Sequence, residues 1–367
     1  MNRMIIANLV HRPIRSLISI VAIAVEVTLI LVIVGILLGI LNDSKQRQGG
    51  IGADIMVRPP GSSFIFTGGG APMSVKVGDL LQKVAGVTAV SPVITQLSTG
   101  GSVEILYGID LPSFEAMGGP FTYLEGGPFQ GADDVIVDNL QADSKHLKLG
   151  QTVQLLNHDF HLAGIVQNGK GARVFMPLAT VQELIGAPNK ASVFYVKLNN
   201  PASATAVAEA IKKIPGMEKY SVMSLKEWLS LMTPDNIPGF STSVHVVIGV
   251  AICIGFIVIF QSMYTAVMER TREIGILKSM GASKGFVVSL ILKEAVLLAI
   301  AGIILGIALS FATRAAIIQR APTLRVAFGT QWIINATVIA MIGAVLGALY
   351  PAYRAAQKDP IDALAYE

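Results

Sequence analysis

Cysteine is nearly absent: Cys253 is the one cysteine in 367 residues. No disulfide can close within the chain, and a cysteine-based zinc site is excluded. Charge is also scarce. Asp, Glu, Lys and Arg make up 14% of the residues, against about 25% in soluble domains. The deficit is concentrated in long uncharged runs, which points to an integral membrane protein with a soluble insert. No G-x-x-x-x-G-K-[ST] loop occurs, so P-loop nucleotide hydrolysis is excluded. Gly68-Gly69-Gly70 is followed by no lysine. His146, His158 and His161 show no helical H-x-x-x-H spacing, and hairpin surface describes them better than a metal site. Asp159 and His161 can share a strand face, and Asp133-Asp134 reads as a loop cap. Neither a Ser-His-Asp set nor a glycosidase-like carboxylate pair is supported.

What is present is apolar: 52% of the chain. A membrane span needs about 20 predominantly apolar residues. Residues 17–41, 244–267, 286–311 and 333–350 meet or approach that length. The first run follows Arg3, Arg12 and Arg15 as a secretory signal would. It is too long for the ~7–15-residue apolar core of a signal peptide, so a retained transmembrane helix is expected. Trp332 and Tyr350 bracket the fourth run, as interfacial aromatics do.

Orientation follows from the basic residues. Arg3, Arg12 and Arg15, then Arg270, Arg272, Lys278 and Lys284, then Arg354 and Lys358 all fall on one side if the helices alternate. The positive-inside rule makes that side the cytoplasm, with both termini cytoplasmic. Arg314, Arg320 and Arg325 sit on the opposite side and conflict with it; Arg314 is expected against a helix neighbour or lipid headgroups. The net charge of +4 is explained by these flanks, and nucleic acid is not implied.

The expected class is therefore a membrane α-helical protein. It has four transmembrane helices and an α+β extracytoplasmic domain inserted between helices 1 and 2. The segments are a cytoplasmic entry helix (1–16), helix 1 (17–41), the extracytoplasmic domain (42–243) and helix 2 (244–267). A cytoplasmic segment (268–285), helix 3 (286–311), a short external loop (312–332), helix 4 (333–350) and a cytoplasmic tail (351–367) follow. Within the insert, residues 152–156 and 160–166 read as a hairpin turning at Asn157-His158-Asp159. Residues 192–198 read as a strand. Helices are expected at 77–84 and at 202–214, the latter ended by Pro215-Gly216. The Gly-rich stretch 61–72 reads as a loop.

The segment 268–285 is patterned. Ile274, Ile276, Leu277 and Met280 recur near helical spacing among charged residues. That describes a short amphipathic helix at the cytoplasmic face. Three polar residues interrupt the apolar runs: Glu26 in the first, Lys293 and Glu294 in the third. A carboxylate near the bilayer centre costs roughly 3 kcal/mol on insertion scales. Glu26 should therefore make a polar contact at a helix or dimer interface, with a proton or ligand contact as the other reading. Lys293 can snorkel, and Glu294 is expected in a hydrogen bond or salt bridge. Gly35/Gly39, Gly302/Gly306 and Gly343/Gly347 are small-xxx-small pairs that allow helices to approach closely.

Four stretches together resemble one family. They are the entry Asn8-Leu9-Val10-His11-Arg12-Pro13-Ile14-Arg15-Ser16-Leu17; the stretch from Glu269 to Ser283; Glu294; and Pro351-Ala352-Tyr353-Arg354-Ala355-Ala356 followed by Asp359-Pro360-Ile361-Asp362-Ala363-Leu364. They are similar to ABC-type permeases that include the macrolide exporter, the lipoprotein-releasing permeases and the cell-division permease. Glu26 departs from the family's small or apolar position.

The resemblance implies a non-catalytic permease subunit in a bacterial cytoplasmic membrane. It would transmit ATP-driven motion from a separate cytoplasmic ATPase to the extracytoplasmic domain, exporting a drug, lipid, peptide or lipoprotein. ATP and magnesium would be used by that partner, and no cofactor or metal would be bound here. A second permease copy, a periplasmic adaptor protein and membrane lipid are the other implied partners. The ATPase-coupling residues would be Glu269, Arg270, Arg272, Glu273, Ile274, Gly275, Ile276, Leu277, Lys278 and Gly281. A regulatory activator of an extracytoplasmic cell-wall hydrolase is the alternative. An ion-coupled carrier would need more spans and facing polar groups at mid-membrane.

Overall fold

The computed structural model describes residues 13–62, 72–98, 104–237 and 239–358. The motif residues 8–12 and 359–364 and most of the Gly-rich stretch lie outside the described residues. The chain divides into two compact units. One comprises residues 1–39, 239–319 and 326–367; the other comprises residues 40–238 and 320–325.

Helix α1 (Pro13–Gly49) opens the described chain and is followed by β1 (Ile55–Arg58), β2 (Met73–Ser74) and α2 (Lys76–Gln82). Then come β3 (Val87–Ser98), β4 (Glu104–Ile109), α3 (Leu111–Gly118), β5 (Tyr123–Gly126) and β6 (Asp134–Asp138). Helix α4 (Asn139–Lys145), β7 (Thr152–Leu155), β8 (His158–Val166), β9 (Val174–Pro177) and α5 (Leu178–Leu184) continue the domain. It closes with β10 (Lys190–Ala191), β11 (Val193–Leu198), α6 (Ala204–Lys212), β12 (Ser221–Ser224) and α7 (Leu225–Leu231). Four further helices complete the chain: α8 (Phe240–Glu269), α9 (Thr271–Ser279), α10 (Lys284–Arg320) and α11 (Thr330–Gln357).

In the inserted domain, ten strands form one sheet among the described residues, in the order β12-β1-β11-β3-β4-β9-β6-β8-β5, with β7 paired to β8. The pairs β4–β9 and β6–β8 are parallel, and the others in this sheet are antiparallel. Helix starts are encoded locally. Asp110, Asp138 and Ser224 accept hydrogen bonds from the backbone N–H groups of Ser113, Gln141 and Glu227, the usual N-cap arrangement. Apolar residues fill both sides of the sheet. Tyr107, Phe114, Phe175 and Trp228 lie in one cluster; Phe194, Val196 and Ile211 in a second; Phe160, Leu162 and Val181 in a third.

The hairpin turns earlier than the sequence suggests. Leu156 and Asn157 both take positive φ (52° and 61°), and His158 and Asp159 belong to β8. Two consecutive left-handed residues are what a two-residue type I′ turn requires. Asn tolerates that conformation, and Leu does so against its preference, which is why the turn was not legible. The helix expected at 202–214 is a 3-10 turn (Pro201–Ser203) followed by α6, ending at Lys212.

In the other unit, α1, α8, α10 and α11 are long and apolar enough to cross a membrane. Their core includes Ile23, Val27 and Ile30 of α1, Ile259 and Met263 of α8, Leu298 of α10 and Ala344 and Ala348 of α11. Glycine sets the spacing. A Cβ at Gly302 would lie 2.6 Å from Ile23 Cβ, and one at Gly306 would lie 2.7 Å from the Ala24 carbonyl oxygen. At Gly347 it would lie 3.0 Å from the Phe256 carbonyl oxygen. Gly343, the partner of Gly347 in sequence, has nothing within 4 Å of such a Cβ.

The expected spans 17–41, 244–267, 286–311 and 333–350 lie inside these helices, which are longer. Helix α10 continues to Arg320 and α11 begins at Thr330, so residues 321–329 join the two helices. A bilayer limits the length of an apolar stretch and does not stop a helix whose backbone is already hydrogen bonded. Helix α11 runs through Pro351 to Gln357, where the tail was expected to begin at 351. A proline ring crowds the carbonyl four residues earlier; here that residue is Gly347, and Pro351, Ala348, Ala352 and Ala355 are all buried. Two of the arginines that contradicted the positive-inside pattern have partners. Arg314 lies over the Phe328 ring at 5.8 Å, and Arg325 lies 3.6 Å from Asp43.

Candidate functional site: the short helix between α8 and α10

The linker between α8 and α10 is held by local chemistry at both ends. At its start the chain breaks at Arg270 (φ −110°, ψ 18°). Thr271 Oγ1 donates to the carbonyls of Val267 (3.2 Å) and Met268 (2.9 Å) in the last turn of α8, which also accept from the Arg270 N–H. At its end, Gly281 takes φ +94°. Its N–H donates to Lys278 O, and the next N–H, of Ala282, donates to Leu277 O, each at 3.0 Å. That pair is a Schellman closure, which favours glycine at this position. Ser283 then accepts from the Phe286 N–H (3.2 Å) and caps α10, as an N-cap serine does. The Gly281-Ala282-Ser283 triplet thus ends one helix and starts the next.

Two side chains tie α9 to the unit around it. Arg270 Nη1 lies 3.2 Å from Glu294 Oε2 of α10, with side chains 11% and 6% exposed. Lys278 Nζ donates to the carbonyls of Ala356 (3.0 Å) and Lys358, at and just beyond the end of α11. A cation among the last carbonyls of a helix is electrostatically favoured.

The candidate residues fall on two faces. Thr271, Ile274 and Gly275 are buried. Arg272, Glu273 and Ile276 are exposed, and so are Glu269 at the end of α8 and Gly281 in the turn. Leu277 and Lys278 are half-buried. Met280, which the sequence pattern grouped with the apolar face, is 71% exposed beside Ile276 at 42%. The outward face therefore carries two apolar side chains among charges. A cavity of about 280 Å³ opens beside α9, walled by Ile274, Ile276 and Met280 of α9 and by Met263, Leu290 and Ile291, with Arg270 and Glu294 at it.

Of the intramembrane polar residues, Glu294 is buried in its ion pair and Lys293 is exposed on α10. Glu26 is 3% exposed and lies against Gly255 of α8, where a Cβ would come within 1.9 Å of its Oε2. The interface is thus between helices of this chain.

The inserted domain holds a polar cluster that the sequence did not reveal. Asp43 Oδ2 lies 2.9 Å from Arg47 Nε and 3.0 Å from Arg173 Nη2. Arg173 Nη1 lies 2.8 Å from Asp138 Oδ2, and its Nη2 donates to the Thr323 carbonyl (3.3 Å). Arg325 completes the set on Asp43. Burial pushes the Asp138 carboxyl up even with Arg173 beside it. The Asp43/Arg47 spacing is legible as an i,i+4 pair; Asp138, Arg173 and Arg325 join from remote positions with no pattern to mark them.

Two family models match the chain. A MacB-like periplasmic core domain covers residues 16–214, and an FtsX-like permease C-terminal domain covers residues 245–360. The macrolide export ATP-binding/permease protein MacB of Acinetobacter baylyi is 28% identical over 79% of this chain and 47% of its own length. That of Neisseria gonorrhoeae is 24% identical over 100% of this chain and 60% of its own length. The chain thus spans about half the length of such curated relatives. The crystal structure of the periplasmic region of MacB from Actinobacillus actinomycetemcomitans superposes with a TM-score of 0.38 at 20% identity, over 49% of this chain and 92% of that one. Its inserted domain and its C-terminal helices each matched by a family model, the chain belongs to the MacB-like and FtsX-like family of ABC-type permeases.

Proposed function

We propose that the chain is the permease subunit of an ABC exporter in a bacterial cytoplasmic membrane. A separate cytoplasmic ATPase, using ATP and magnesium, docks on α9 and drives the motion of a permease dimer. Helices α1 and α8, which flank the inserted domain in sequence, carry that motion to it on the far side of the membrane, with both termini cytoplasmic. The exported cargo is a drug, lipid, peptide or lipoprotein, and a periplasmic adaptor receives it.

The observation that carries this reading is the two-faced build of α9. Its inner face is fixed through Thr271, Ile274, the Arg270–Glu294 pair and the Lys278 bonds to the end of α11. Its outer face presents Ile276 and Met280 among Arg272 and Glu273. A rigidly mounted helix with apolar anchors fits a partner groove and can transmit a push.

The test is reconstitution with the partner ATPase in nanodiscs, comparing the wild type with Ile276→Ser/Met280→Ser. Burying such side chains contributes about 1.5–3 kcal/mol each, so ATPase binding should weaken by ~100-fold or more. Melting of the permease should stay unchanged because both residues face outward. Normal pull-down and normal ATP turnover in the double variant would remove the coupling role from α9.

A further inference from the structure

We propose that Glu26 is a proton-binding site built into the contact between α1 and α8, and that its proton is held while the two helices are closed on each other. Nothing in the coupling role of α9 requires this carboxyl. The proposal rests on the membrane-spanning reading of the four helices and on no partner.

The geometry of the contact is specific. Helices α1 and α8 run antiparallel with one register: Ser19 meets Ser262 through their hydroxyls, and two turns along, Glu26 meets Gly255. The carboxyl is 3% exposed, and its Oε1 has no hydrogen-bond partner among the described residues. Gly255 leaves the space that the carboxyl fills, since a Cβ there would fall 1.9 Å from Oε2 and 2.5 Å from Cδ. To either side of position 26 the neighbouring turns of α1 are sealed against α10, with Ile23 against Gly302 and Ala24 and Val27 against Gly306.

Among the described residues no countercharge lies at this depth. On α1, Glu26 is the one titratable side chain between Arg15 and Asp43. On α8 the titratable residues are His245, Cys253, Tyr264 and Glu269; Cys253, the nearest in sequence to Gly255, is exposed on the bundle surface. On α10 none lies between Glu294, which is paired with Arg270, and Arg314, which stacks on Phe328. On α11 none precedes Tyr350.

An ionised carboxylate sealed in an apolar bundle without a cation or a full set of donors is strongly disfavoured, and such a group neutralises by taking up a proton. The neutral acid is the form this contact accommodates. Parting α1 from α8 would bring water to the carboxyl and let the proton leave. Closure therefore takes up one proton per chain and opening releases it, so the closed arrangement should weaken as pH rises.

The experiment uses the full chain in nanodiscs, in a Cys253→Ala background. Infrared difference spectra should show the carbonyl stretch of a neutral carboxylic acid at neutral pH, lost in Glu26→Gln. Disulfide cross-linking of Ser19→Cys with Ser262→Cys should fall several-fold from acid to alkaline pH with Glu26 in place. It should show no such fall with Glu26→Gln, which controls for the chemistry of the thiols. Glu26→Asp covers the case in which the glutamine variant does not assemble. A band that belongs to position 26 shifts in Glu26→Asp, and one that does not move overturns the assignment. Absence of the band in the wild type at neutral pH, or the same cross-linking profile with Glu and Gln, would overturn the proposal.

Discussion

The two units solve opposite problems with polar groups. In the membrane-spanning unit, packing is set by what is missing: glycines remove Cβ atoms so that α1 meets α10 and α8 meets α11 backbone to side chain. Buried carboxyl groups there are confined to Glu294, paired with Arg270, and to Glu26 among the described residues. In the inserted domain, packing is set by what is added. Asp43, Asp138 and Arg173 bring several charges together, and Gln48, Tyr107 and Tyr195 form a buried hydrogen-bonded triangle with distances of 2.8, 3.0 and 3.4 Å. The physical cause is the reference solvent. A domain that folds from water gains by excluding it from apolar residues and must then satisfy each polar group it buries. Helices already in lipid gain nothing hydrophobic by associating, and rely on close contact. The two tryptophans, Trp228 in the domain and Trp332 at the start of α11, allow each unit to be followed separately by fluorescence once the other is replaced by Phe.

The largest expected effect tests the additive side of this contrast. Arg173→Ala leaves Asp43 and Asp138 without their shared cation, and the Asp138 side chain is 1% exposed. Breaking a buried pair by removing one partner costs about 3–5 kcal/mol. Melting followed at Trp228 should fall accordingly, and Trp332 should report little change. If Trp332 shifts as far as Trp228, the two units do not unfold separately and the contrast fails.

The next effect tests the subtractive side. Gly306→Ala would place a methyl 2.7 Å from a backbone oxygen of α1, and overpacking of this kind costs about 1–3 kcal/mol. Gly343→Ala meets nothing within 4 Å and should stabilise α11 by roughly 0.5–1 kcal/mol through helix propensity. Melting at Trp332 in detergent should move in opposite directions for the two variants. Equal shifts would show that glycine spacing does not set the helix contacts.

The two units also differ in how much of them was legible. The spans were, because long apolar runs are a property of consecutive residues. So was the presence of a helix near 271–280. Helix ends were not, because Ala315, Ala316, Ile317 and Ile318 continue α10 with nothing to break it. The Glu26–Gly255 and Arg173–Asp43–Asp138 contacts were hidden for one reason: each joins residues remote in sequence, and neither leaves a local period. Gly343/Gly347 shows the converse error, since a motif of correct spacing uses only one of its glycines for close contact.

The smallest expected effect concerns the surface of the inserted domain, where Asp134 opens β6. Its Oδ2 accepts from the backbone N–H of Gln130 (2.6 Å) and Gly131 (2.8 Å), and its Oδ1 lies 3.3 Å from His161 Nδ1. Partial burial pushes this carboxyl up, but the two N–H groups and His161 outweigh it and hold it below the usual carboxylate range. The sign follows directly. A carboxyl whose folded value is depressed contributes its full stabilisation above the ordinary value, and that contribution is lost as pH falls through the folded value. Asp134→Asn should therefore lower the melting point at neutral pH and flatten its decline below about pH 5, read at Trp228. His161→Asn should reproduce part of the neutral-pH loss and leave most of the acid slope, because the two backbone donors remain. An acid slope in Asp134→Asn identical to that of the wild type would place the acid sensitivity of the domain elsewhere.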